Sequence, residues 1–174
     1  DVSLTASWRI VQLTASYRQE RDAVIDRTER SRIDPKVSLV TYTNLDRLPF
    51  LTAFATVTPA FGVWTPQLSA GFVKQWAEVE IDGKPVRYDR PIFRISLNNS
   101  LRLPAGLLFT LDVRYRSKGD ERNLYLTDDT WVVNMGLTRS FFSDRLSVML
   151  RGWDVFRGEG GGAIYRSPHM ESYQ

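Results

Sequence analysis

The stretch FRISLNNSLRLPAGLLFTLDVRYR, residues 93–116, decides how the chain is read. Phe93, Ile95, Leu97, Leu101 and Leu103 share one parity, and Arg94, Ser96, Asn98, Ser100 and Arg102 share the other. After LPAGL the alternation resumes, with Phe109, Leu111, Val113 and Tyr115 against Thr110, Asp112 and Arg114. Apolar residues recurring at every second position place one face of a β-strand against an apolar surround and the other against a polar one. Pro104 and Gly106 supply the turn, so the stretch reads as a hairpin.

The same period runs outward in both directions. Val11, Leu13, Ala15 and Tyr17 alternate with Gln12, Thr14, Ser16 and Arg18. Leu68, Ala70 and Phe72 continue it, as do Trp131, Val133, Met135 and Leu137, and then Leu146, Val148 and Leu150. The segment LPFLTAFATVT, residues 48–58, is apolar on both parities and is read as a strand without a choice of faces. The expected strands cover roughly residues 8–20, 38–57, 65–80, 88–103, 107–117, 125–141 and 146–157, with 158–174 a loop. About seven long strands exceed the usual five or six residues of a soluble sheet. The fold class expected is all-β, an antiparallel up-and-down meander.

The connections carry a second pattern. LPAGL (103–107) and FSDRL (142–146), with Ser143 and Asp144, are tight turns, and TPAFGVWTP (58–66) is only slightly longer. Between them come long polar links: RDAVIDRTERSRIDPK, EIDGKPVRYDRP, RSKGDERNLYLTDD and the tail from Arg157. Alternate turns of a meander lie at the same end, so one end is trimmed and the other elaborated. Outer-membrane barrels have this asymmetry. Trp131 and Phe141 share a parity ten positions apart, which at about 3.3 Å per residue and a tilt of about 40° spans roughly 25 Å. That is the height of an apolar band between two aromatic girdles.

Composition narrows the classes. The chain has 174 residues, 43% hydrophobic, 25% charged and 12% aromatic, with no cysteine. That is enough for one folded unit and excludes disulfides and thiolate sites. The formal charge of +3 is scattered, so nucleic acid is not an expected partner. There is no run of about 18 apolar residues, so no transmembrane helix is expected. A mean hydropathy of −0.28 suits a barrel as well as a soluble protein, because alternate residues of a barrel face a polar lumen.

SFFSDRLSVMLRGWDVFRG, residues 140–158, resembles the C-terminal region of TonB-dependent receptor barrels, and especially the outer-membrane β-barrel proteins of Bacteroidetes-type bacteria (SusC-like). Asp144, Arg145, Leu146, Ser147, Asp154, Val155 and Phe156 match; Trp153 and Arg157 depart from the usual Asn and Asn or Asp. The 93–119 hairpin is similar to the preceding hairpin of that family. The resemblance covers residues 87–158 well and the first eighty-six in style. It implies a partial barrel, residues 1–174 being an internal piece of a wall of about 22 strands. It implies outer-membrane localisation, import of a large or scarce solute, a plug and further strands of the same protein, a surface lipoprotein, and an energy-transducing periplasmic partner. No catalysis and no cofactor are expected. The alternatives are a small complete barrel serving as anchor or adhesin, and a soluble all-β binding domain.

Candidate chemistry is sparse. His169 is the one histidine and reads as an exposed tail residue, too little for a metal site. GEGGG (158–162) lacks the Lys-Ser/Thr of a phosphate loop, and no Gly-x-Ser-x-Gly occurs. NNS (98–100) matches a glycosylation sequon in mid-strand. Asp120, Glu121, Asp128 and Asp129 read as a solvated acidic loop. The arginines are the one constellation. Arg94, Arg102, Arg114 and Arg151, with Arg18 and the acidic Asp112, take the polar parity and are the candidates for a lumen-facing pathway. Ile95, Leu97, Leu111, Val113, Val133, Met135, Leu137, Val148 and Leu150 are the lipid-facing candidates. A cationic inner wall suits an anionic solute or an acidic plug surface; a large barrel with an ordinary polar interior is the plainer reading.

Overall fold

Backbone alternation along the chain is realised in a computed structural model that describes every residue except 32, 35, 82, 144, 168, 169 and 174. For residues 27–30, 38, 163–167 and 170–173 it describes the backbone only. In chain order the strands are β1 (Val2–Trp8), β2 (Val11–Arg30), β3 (Ser38–Val57), β4 (Trp64–Gln75), β5 (Ala77–Ile81), β6 (Lys84–Tyr88) and β7 (Ile92–Leu103). A 3-10 turn at Pro104–Gly106 leads to β8 (Leu107–Arg116), β9 (Gly119–Glu121), β10 (Leu124–Leu126), β11 (Thr130–Phe141), β12 (Leu146–Gly152), β13 (Ala163–Ser167) and β14 (Met170–Tyr173).

Eight of these form one sheet in the order β1-β2-β3-β4-β7-β8-β11-β12, every neighbouring pair antiparallel. The fold is thus the expected all-β meander, with the β5–β6 and β9–β10 hairpins inserted in two of its connections. One end of the sheet has short turns at residues 9–10, 58–63, 104–106 and 142–145. The other end has the long connections. Among the described residues, β1 pairs only with β2 and β12 only with β11, so both edges of the sheet are open.

The structure corrects several boundaries. The link expected after Arg21 is strand: β2 and β3 are twenty residues each and pair as far as Arg30↔Ser38. The reason is a change of pleat, which hides the periodicity. Asp22 takes a left-handed φ of 52°, and the Asp22–Asp46 pair is missing from a ladder continuous on both sides. Below it, odd-numbered Leu13 and Tyr17 are exposed. Above it, odd-numbered Ala23 and Ile25 are buried with Leu48, and Val24 is exposed. A one-residue change of phase exchanges the two faces of a strand, and aspartate tolerates the left-handed region better than most residues.

The expected strand 65–80 ends at Gln75. The Trp76 N–H donates to the Pro49 carbonyl, and β5 turns away to pair with β6. Strand 88–103 begins at Ile92, just after Pro91, which has no N–H for a ladder. Strand 125–141 is broken at residues 127–129, where Asp128 and Asp129 accept loop hydrogen bonds. Strand 146–157 stops at Gly152, because Asp154 and Arg157 take positive φ. The expected loop 158–174 contains β13 and β14, which join β10 and β9 in a four-stranded sheet. An additional strand, β1, precedes the first one expected. Asp144 and His169 lie outside the described residues.

The buried core is small and sits at one end. Ala23, Ile25 and Leu48 from the extended β2–β3 ribbon pack against Ala77, Val79, Ile81 and Tyr88 of the β5–β6 hairpin. Among the described residues, no comparable buried apolar cluster lies on the eight-stranded sheet itself. Leu150 is 72% exposed, and Phe93, Trp131 and Val148 are about half exposed.

Candidate functional site

Register determines which side chains share a face, and it sorts the sheet without ambiguity. On one side Ile95 stands beside Ala70 and Tyr115, Leu97 beside Leu68 and Val113, and Val113 beside Val133. Leu111 pairs with Met135, Leu137 with Phe109 and Leu150, and Val148 follows two residues before Leu150. All nine apolar candidates therefore lie on one face. Some polar residues intrude, among them Asn99, Lys74 and Arg139. Asn99 accepts from the Trp64 Nε1–H at 3.1 Å, Lys74 lies over the Trp76 ring and Arg139 over the Phe141 ring. The two cations are near the ends of their strands, where a long side chain can reach water.

Aromatic rings gather at both ends of this face. Phe61 and Trp64 stack at 5.2 Å at the short-turn end, and Phe141 ends β11 on the same side of the sheet. Tyr115 and Trp131, cross-strand partners with centroids 4.6 Å apart, mark the other end.

The opposite face carries Arg94, Ser96, Asn98, Ser100 and Arg102 on β7, and Thr110, Asp112 and Arg114 on β8. Asn134 and Gly136 on β11 continue it, and Gly136↔Arg151 brings Arg151 onto the same side. The candidates are not gathered at one point. Arg94 and Arg114 lie together towards the long-loop end. Arg102 is near the short-turn end opposite Leu108, and Arg151 lies over the Trp153 ring at 5.3 Å. Asp112 stands between Asn98 and Asn134. Arg116 joins Arg94 and Arg114, and its even number was signal enough to include it.

Sequence reasoning missed the lid over this face. The β9–β10 hairpin folds across it and is tied at several points. The Ser117 hydroxyl accepts from the Phe93 N–H (2.9 Å), and Asp120 Oδ2 accepts from the Arg90 N–H (2.9 Å). Gln75 Nε2 donates to the Arg122 carbonyl (2.6 Å), and the Arg122 N–H donates to Gln75 Oε1 (2.8 Å). Glu20 binds Arg18 at 3.1 Å and Arg122 at 3.8 Å. None of this has a period to read, because the partners come from strands far apart in the chain.

Two cavities lie on this face. One of about 580 Å³ is lined by Phe54, Arg94, Ser96, Arg114, Arg116 and Thr130 among others. One of about 340 Å³ lies under the hairpin, between Arg18, Thr52, Gln75, Asp120 and Arg122. Gly71 shapes the first. It stands opposite Phe54 and Arg94, and a Cβ there would lie 2.5 Å from the Phe54 ring. The phenylalanine lies over the glycine because nothing projects from it.

Beyond the sheet, Asp128 anchors the loop that follows β12. Its carboxylate accepts from the Gly162 N–H (2.9 Å) and the Thr127 hydroxyl (3.0 Å), which hold it below the usual carboxylate range.

The model of the outer membrane protein beta-barrel family matches residues 1–170. The chain belongs to that family. The match takes in the first eighty-six residues as well as the region that carries the resemblance. The protein is accordingly a β-barrel chain of the bacterial outer membrane, set in lipid. No curated protein and no solved structure matches it.

Proposed function

We propose that the chain is part of the wall of a TonB-dependent importer, with its apolar face against lipid and its polar face lining the path of a large or scarce solute. The observation that carries this reading is the open eight-stranded sheet with a polar, arginine-bearing face partly roofed by its own hairpin. A complete eight-stranded barrel would pair β1 with β12, and an interior of that size is filled by side chains. An open arc with room on its polar side suits a wider barrel that encloses a channel or a plug. The short turns then face the periplasm and the long connections the outside. Further strands and a plug of the same protein, a surface lipoprotein and an energy-transducing periplasmic partner belong to this reading, as does the absence of catalysis.

Deletion of the gene, followed by solute-uptake profiling with and without a protonophore, tests it. The expected result is loss of one energy-dependent uptake activity. Unchanged uptake together with lost surface attachment would instead favour the anchor or adhesin.

A further inference from the structure

Three arginines meet at one level of the polar face. Arg94 and Arg116 are direct cross-strand partners, and Arg114 lies two residues from Arg116 opposite Ser96. Like charges directly across a ladder repel and destabilise it. Little in the fold offsets them. Among the described residues Arg114 and Arg116 form no ion pair, and the Arg94–Glu121 contact is long, 3.8 Å, between half-exposed side chains. Arg116 Nε is shielded from solvent and has no hydrogen-bond partner. A sheltered donor left unpaired costs free energy that a bound acceptor restores.

All three line the cavity of about 580 Å³, within the size range of small-molecule sites. Glu159 is the one carboxylate in its lining, which leaves an excess of two positive charges. Ser96 and Thr130 add hydroxyls, and Phe54 forms an apolar wall. Guanidinium groups present paired N–H donors that match the two oxygens of a carboxylate or phosphate.

We propose that Arg94, Arg114 and Arg116 form a binding site for a small multivalent oxyanion, a solute that carries phosphate or clustered carboxylates. A volume of about 580 Å³ suits a compact solute. This rests on the reading of the polar face as the lumen wall, and it names the class of solute that wall recognises.

The test is calorimetric titration of the protein in detergent micelles with inorganic pyrophosphate and with citrate, against sodium chloride at matched ionic strength. At least one probe should bind saturably. Arg114→Gln and Arg116→Gln should each weaken it about tenfold or more, the loss expected for a charged hydrogen-bonded contact. Arg87→Gln, which removes the same charge from the distant β6, should leave the affinity unchanged. Arg116→Lys keeps the charge without the planar fork and should lose part of the affinity, with the fold checked by heat-modifiable gel migration. No saturable binding of either probe, or equal weakening in all three glutamine variants, would overturn the site. Binding without energy-dependent uptake would sink the importer and leave the site; uptake of an uncharged solute, with no oxyanion binding, would do the reverse.

Discussion

Gln75 and Arg122, forty-seven residues apart, exchange two hydrogen bonds: the carboxamide donates to the Arg122 carbonyl and accepts from the Arg122 N–H. The Gln75 side chain thereby acts as a missing backbone neighbour for the β9–β10 hairpin. Gln75 itself is 2% exposed, so its side of the pairing is buried. Gln75→Leu removes both bonds, a loss of about 0.5–1.5 kcal/mol for each. Hydrogen exchange at Arg122 should accelerate at least tenfold, while amides in the middle of β8 keep their protection.

Gly71→Ala should destabilise the sheet by about 1–3 kcal/mol, the usual range for overpacking. The added methyl would run into the Ala53 carbonyl oxygen and lie 2.5 Å from the Phe54 ring. Urea unfolding in micelles measures the change. The companion Gly71→Ala/Phe54→Ala variant should recover only part of it, since the carbonyl contact remains.

Asp128 predicts a pH dependence confined to one loop. Its folded pKa is depressed, first by the Gly162 N–H and then by the Thr127 hydroxyl. A depressed carboxylate contributes stability that is present above its unfolded value, about 3.9, and is lost as the pH falls through the lower folded value. Docking of residues 158–162 should therefore persist at neutral pH and fail only below the ordinary carboxylate range. Exchange at Gly162, followed from pH 7 downwards, checks this. In Asp128→Asn the protection should be lower throughout and the acid transition absent.

The two faces make opposite predictions in lipid. Single cysteines at Val113 and Leu150 should be quenched by lipid-attached nitroxides, and cysteines at Arg114 and Arg151 should respond to water-soluble reagents. Leu111→Arg should cost about 2–4 kcal/mol, the penalty for a charge near the bilayer midplane. Thr110→Arg, one residue away on the other face, should cost far less. Equal quenching at Val113 and Arg114 would end the assignment of faces.

Strand existence and face were legible wherever the residues alternate, as in Phe93–Leu103 and Leu107–Tyr115, because period-two patterning is local. Even LPFLTAFATVT found its faces only through register: Phe54 lies over Gly71 on the polar side, which no local rule reveals. The β2 extension was missed because the pleat inverts at Asp22, so Ala23 and Ile25 fall out of step with Leu13 and Ala15. The hairpin over the polar face was missed for another reason. Its ties join Gln75, Arg90 and Phe93 to Arg122, Asp120 and Ser117, and side-chain to backbone bonds across such separations leave no mark in a sequence. Arg94, Arg114 and Arg151 could be given a common face from parity, but only pairing separates Arg151 from the other two.

The uneven ends bear on how such a wall enters its membrane. Between Arg21 and Arg47 the long β2–β3 ribbon and its connection carry eleven charged side chains. Each costs about 2.5–3.5 kcal/mol at the centre of an intact bilayer, so carrying the whole ribbon through at once would raise a barrier of roughly 30 kcal/mol. At that height spontaneous insertion is far slower than a cell generation. The bulky tips must cross where the lipid is already thinned or parted, and the trimmed turns, left on the side of entry, need not cross at all. Simple partitioning into an intact bilayer is thus disfavoured by the difference between a two-residue turn at Arg9–Ile10 and a ribbon twenty residues long.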